Sequence, residues 1–152
     1  MPGWTNRGKY ANLNSWLRAT GTPAACYVAL LTAASAPGPD TNLMSDHTEL
    51  GAGNGYVAGG IIIARTAVGF DSLVEDDVND RAEIQVKDIT WTAVGGPIPA
   101  AGAGATYAVL TDDAGVVANR EIYHYWTLAG APITLLVGES LTLQDLEMRE
   151  TE

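Results

Sequence analysis

The sequence predicts a mainly β protein, an antiparallel, jelly-roll-like β-sandwich with one N-terminal α-helix, and three observations point that way. First, four short apolar runs close the chain: Ala105 to Thr111, Glu121 to Leu128, Ile133 to Val137 and Leu141 to Leu146. They are separated by Asp112-Asp113-Ala114-Gly115, Ala129-Gly130-Ala131-Pro132 and Gly138-Glu139-Ser140, and closely spaced apolar segments punctuated by turn residues mark an antiparallel sandwich or barrel. Second, Ala82, Ile84 and Val86 alternate with Glu83, Gln85 and Lys87, the period of a half-buried strand. Third, Ala25 to Thr32 is an unbroken apolar run, the pattern of a strand buried on both faces.

The elements follow in order. Tyr10, Leu13, Trp16 and Leu17 recur at spacings of three and four, which predicts a helix from about Thr5 to Arg18, capped by Thr5 and stopped by Gly21 and Pro23. After the Ala25 strand, Ala33 to Asp40 reads as a loop. Asp46 and Glu49 have the outer positions of a capping box, so a single helical turn is expected there, ended by Gly51-Ala52-Gly53-Asn54-Gly55. Tyr56 and Val57 then lead into the β-like run Ile61 to Thr66. The acidic stretch from Asp71 to Asp80 reads as an exposed loop. In the strand after it, Asp88 breaks the alternation before Ile89 and Trp91 resume it, which predicts a bulge at Lys87 or Asp88. Ala93 to Gly104, rich in Gly, Ala and Pro, reads as a long linker.

At 152 residues and 47% apolar composition, the chain is sized for one core, so a single domain over residues 1–152 is expected. Its formal net charge of -10 opposes binding to a phosphate backbone, which needs Lys and Arg, so nucleic acid is not an expected partner. Cys26 is the only cysteine, which excludes an intrachain disulfide and a Cys-rich metal site. No apolar signal core follows the basic residues Arg7 and Lys9, and Gly21, Pro23, Pro37 and Gly38 interrupt the uncharged stretch from Ala19 to Pro39. A soluble chain with no membrane partner is the expectation.

Chemistry is sparse. The glycine string at 51–55 has no preceding strand and following helix, so it is no dinucleotide fingerprint. The acidic stretch lacks the alternating ligands and the glycine of a calcium loop. His47 and His124 have no partners at zinc-ligand spacing, and Ser45-Asp46-His47 are adjacent in sequence without a nucleophile elbow. No segment singles out a glycosidase carboxylate pair. The richest patch is Tyr123-His124-Tyr125-Trp126. In a regular strand Ile122, His124 and Trp126 would point one way and Tyr123 and Tyr125 the other, giving either a central strand filled on both faces or a stacking surface for sugar rings or a protein partner.

Taken in order, these elements resemble small β-sandwich proteins encoded among the structural genes of tailed bacteriophages. The resemblance is carried by Trp4-Thr5-Asn6-Arg7-Gly8-Lys9-Tyr10, by Tyr27-Val28-Ala29-Leu30-Leu31-Thr32 and by Gly53-Asn54-Gly55-Tyr56. It continues through Ile89-Thr90-Trp91, the run from Tyr107 to Gly115, and Val137-Gly138-Glu139-Ser140-Leu141-Thr142-Leu143. It implies a virion component without catalytic residues or a cofactor, made in the host cytoplasm. The expected role is a capsid decoration or cement protein that bridges major capsid subunits and associates with copies of itself; a tail, fibre or adaptor component is the alternative. A carbohydrate-binding module is the alternative of another class. Chain ends stay loose unless tied down, so Met1, Pro2, Gly3, Trp4 and Thr5, and the tail from Met148 to Glu152, are candidate interface segments, with Tyr123, Tyr125 and Trp126 as the candidate surface strand.

Overall fold

The structure is a computed structural model, and it describes residues 6–18 and 23–150. The Met1–Thr5 arm, the Thr5 cap, the Gly21 stop and Glu152 lie outside the described residues. The chain is mainly β, with antiparallel sheets and one N-terminal helix, as the sequence predicts. The helix is α1 (Asn6–Leu17). The strands are β1 (Ala25–Leu31), β2 (Ile61–Ala64), β3 (Ser72–Asp76), β4 (Arg81–Val86), β5 (Ile89–Thr92), β6 (Tyr107–Thr111), β7 (Ile122–Thr127), β8 (Ser140–Leu143) and β9 (Leu146–Glu150). Among the described residues no helix is long and apolar enough to cross a membrane.

The strands form three sheets, ordered β2-β1-β6-β7, β3-β4-β9 and β5-β8. One core joins them. Cys26, Val28 and Leu30 of β1, Ile63 of β2, and Ala108 and Leu110 of β6 enter it from the first sheet; Ala82, Ile84, Val86, Leu146 and Met148 enter from the second; Ile89, Trp91 and Leu143 enter from the third. Helix α1 adds Leu13 and Leu17, and Asn12 Nδ2 ties it to the Glu150 carboxylate of β9 at 3.0 and 3.1 Å. On the opposite face of the first sheet, Ala29, Leu31 and Val109 pack under Met44 in a second, smaller cluster. Strand β1 is therefore apolar on both faces, which explains why its sequence runs without alternation.

Several expectations are corrected. The acidic stretch is a hairpin, β3 paired with β4, and only its tip is a loop: Asp76 Oδ1 accepts from the N–H groups of Val78 and Asn79 at 3.2 Å, and Asp80 takes a positive φ of 52°. The strand carries no clear apolar pattern because Leu73 is the only large apolar residue on its core-facing side; Val74 pairs with Glu83 on the outer face. No bulge sits at Lys87–Asp88. There the chain leaves the second sheet and enters the third, and the Lys87 N–H is taken by the Gly69 carbonyl at 3.0 Å.

The helical turn expected at 46–49 is a 3-10 turn at Met44–Asp46, with the Asp46 carboxylate accepting from the Leu43 N–H at 3.1 Å. Asp46 caps the turn from within it. Ala93 to Gly104 is no loose linker, since Ala93 and Ile98 are buried and Ile98 exchanges backbone hydrogen bonds with Leu135 at 3.0 and 2.8 Å. Ile133 to Val137 forms only isolated bridges, to Ala105 and Ile98, because Pro132 and Pro99 interrupt a longer ladder.

Candidate functional site

The aromatic strand β7 runs along one edge of the first sheet, and a register shift remakes it. Leu110 pairs with His124 but Thr111 pairs with Ile122, so Tyr123 is an extra residue bulged out of the ladder. Partners in an antiparallel pair share a face, which puts His124 and Trp126 on the main-core side with Leu110 and Ala108, and Tyr125 on the other side with Val109. Tyr123 packs against the main core and Ile122 against the small cluster. Contrary to the regular alternation, Tyr123 thus joins His124 and Trp126, while Tyr125 stands apart with Ile122.

Tyr123 meets the Trp16 ring of α1 edge-on at 5.0 Å and is a helix anchor. Burial raises its phenol pKa, reinforced by Asp112 and Glu121. Tyr125 is 40% exposed. Trp126 reaches across to the second sheet: its indole N–H donates to the Glu147 carbonyl of β9 at 2.9 Å, and the His124 ring lies 4.7 Å from it, tilted by 39°. Met148, a candidate interface residue in the sequence, has its side chain inside the core at 4% exposure. It is a wall of the core and not part of a docking tail.

Between β7 and β9 lies an open groove of about 410 Å³ lined by His124, Trp126, Asp145, Glu147 and Arg149. A second recess of about 360 Å³ shares Trp126 and Asp145 with it and continues past Thr127, Ile133 and Leu141. The groove's polar wall is braced from the outer face of the second sheet. Gln85 Nε2 holds Asp145 at 3.4 Å and Glu147 at 3.2 Å, while Arg149 pairs with Glu147 at 2.5 Å and with Glu83 at 3.2 Å. Burial lowers the pKa of His124, so near neutrality the ring is an uncharged wall. Family models, curated proteins and solved structures were all compared with the chain, and none matches.

Elsewhere Glu49, Tyr56, Arg65 and Arg120 hold backbone groups. Glu49 accepts from the Tyr56 hydroxyl at 2.9 Å and from the Gly59 N–H; Tyr56 in turn accepts from the Leu30 N–H at 2.9 Å. Arg120, 7% exposed, donates to the carbonyls of Gly59 and Ala114 at 3.0 Å and lies 3.8 Å over the Tyr27 ring. Arg65 donates to the carbonyls of Trp16 and Pro23, joining α1 to the entry of β1. Burial pushes the Cys26 thiol up to about 11, although Arg65 pulls the other way, so the thiol is a poor nucleophile at neutral pH. Among the described residues no group of three or more His, Cys, Asp or Glu side chains could hold a metal ion.

Another surface combines Val94 with Leu136 and Val137, the end of the apolar run Ile133 to Val137, whose exposure the sequence does not signal. Val94, Leu136 and Val137 are 65%, 68% and 63% exposed. They ride on two turns tied together by backbone bonds from Ala93 to Glu139 at 2.9 Å and from Gly138 to Ala93 at 2.8 Å. The Glu139 carboxylate closes its own turn by accepting from the Leu136 N–H at 2.8 Å, and Asn54 binds both the Val94 N–H and the Pro97 carbonyl at 2.8 Å. The result is an aliphatic tip on a fixed frame.

Proposed function

We propose that this chain is a structural protein of a tailed-bacteriophage virion, a capsid decoration protein that acts by bridging neighbouring major capsid subunits. The observation that carries the proposal is the aliphatic tip: large apolar side chains held out into solvent by a hydrogen-bonded frame are a feature of docking surfaces. A preformed tip loses little conformational freedom when it docks, which favours binding. The order of sequence elements supplies the virion context, and the bonds of Glu49, Arg65 and Arg120 to backbone groups fit a building block. The mechanism is mass action: a protein that attaches to the assembled head but not to free subunits shifts the equilibrium toward the assembled head.

The test uses heads purified without this protein, to which the full chain is added back. The chain is expected to bind and to raise the temperature at which heads rupture. Leu136→Asp with Val137→Asp should abolish binding while leaving the chain's own melting temperature within a few degrees, since both side chains are solvent-exposed. Electron microscopy of virions with the chain labelled should place it on the head. Label on the tail would transfer the proposal to a tail or fibre component, and virions without label would overturn it.

A further inference from the structure

The groove between β7 and β9 carries a binding site of its own, and we propose that it holds a neutral pyranose ring of an oligosaccharide, stacked on Trp126 and hydrogen-bonded by Asp145, Glu147 and Arg149. This inference is independent of the virion proposal and of the aliphatic tip. A pyranose presents two chemistries at once, an apolar face of C–H groups and a rim of hydroxyls. The groove presents the complement of both.

Trp126 supplies the platform. Its ring orientation is fixed by the indole bond to the Glu147 carbonyl and by the tilted His124 ring beside it, so no rotamer search is needed on binding. An indole face carries a partial negative charge that attracts polarised C–H groups as well as shielding them from water. The rim supplies the hydrogen bonds. Carboxylates and a guanidinium are planar groups with paired acceptors or donors, suited to neighbouring hydroxyls on one ring. Arg149 uses its Nε toward Glu83 and one Nη toward Glu147, from a guanidinium with five N–H donors, and its side chain is 50% exposed. Gln85 braces the two carboxylates from behind. The groove's 410 Å³ and the adjoining 360 Å³ fall within the range of about 300–1,000 Å³ typical of ligand sites, and their shared residues Trp126 and Asp145 allow more than one ring in line.

Charge selects the class of sugar. Asp145 and Glu147 face the groove with Arg149 as the single cation lining it, and the whole chain carries -10, so uronic, sialylated or phosphorylated sugars are repelled. Tyr123 and Tyr125 take no part. Tyr123 is occupied by Trp16, and Tyr125 lies on the opposite face of the sheet.

The test is a printed array of neutral and acidic oligosaccharides probed with the full chain, followed by NMR titration of each binder against the indole N–H signals. Neutral oligosaccharides are expected to bind and to shift the Trp126 indole signal. Arg149→Ala and Glu147→Gln should each weaken binding about tenfold, the worth of one hydrogen bond to a charged group, with the fold verified by thermal melting. Leu136→Asp should leave binding unchanged. The proposal is overturned if no neutral oligosaccharide binds at millimolar concentration, if acidic ones bind more tightly, or if both groove variants bind as the unaltered chain does.

Discussion

His124 makes the stability of the fold depend on pH. Its pKa lies below the ordinary 6.5 because burial disfavours the imidazolium, with the Tyr125 backbone pulling weakly the other way. Asp145, Glu147 and Arg149 face the same groove, and Trp126 covers the ring. The unfolded chain therefore takes up its proton first as pH falls, and stability that is fully present above 6.5 declines from there down to the folded-state pKa. The urea midpoint is expected to drop as pH is lowered from about 7 to about 5.5, and His124→Gln should flatten that slope. An unaltered slope in the variant would assign the effect to other groups. At this scale the sequence was partly legible. The burial of Cys26 follows from its apolar neighbours, but the side on which Tyr123 lies does not, because a bulge is a relation between two strands and only one of them is written around residue 123.

Strand β2 meets β1 through a glycine that has no substitute. Gly60 holds a φ of +76°, and a Cβ there would lie 1.9 Å from the Val28 carbonyl oxygen, in backbone that cannot yield without breaking the β1–β2 ladder. Gly60→Ala is expected to cost about 3 kcal/mol or more, from clash and positive φ together. Gly138 has a similar φ of +88° with open space around it, so Gly138→Ala should cost only about 1–2 kcal/mol, the conformational part alone. Urea titration of both variants separates the two contributions, and equal losses would contradict the close approach. Elements with a dense apolar run, β1, β6 and β7, or a clean alternation, β4, are legible in the sequence. Strand β3 is not, because its core-facing positions are Leu73 and Glu75; β9 is not, because Leu146 reads as the end of the preceding run and Met148 as the start of a tail.

At the scale of the whole molecule, pairing between distant segments decides the architecture. The predominance of antiparallel β-structure could be read from turn spacing, whereas the division into three sheets could not, since each short strand carries no mark of its partner. Strand β9 shows the consequence. It pairs Met148 with Ile84 and Leu146 with Val86, closes one side of β4, and supplies the backbone carbonyl that fixes Trp126. A chain stopped after Asp145 is expected to lose cooperative melting, because two core side chains and a full strand ladder are removed together. Met148→Leu, which keeps the volume, should melt within a few degrees of the parent. A truncated chain that still melts cooperatively would show that β9 is dispensable. During synthesis the order of events follows the same dependence. Strand β4 leaves the ribosome long before β9 exists, so one edge of the nascent sheet waits unpaired, with Ile84 and Val86 in want of cover, and slow translation lengthens the interval in which another chain can capture it.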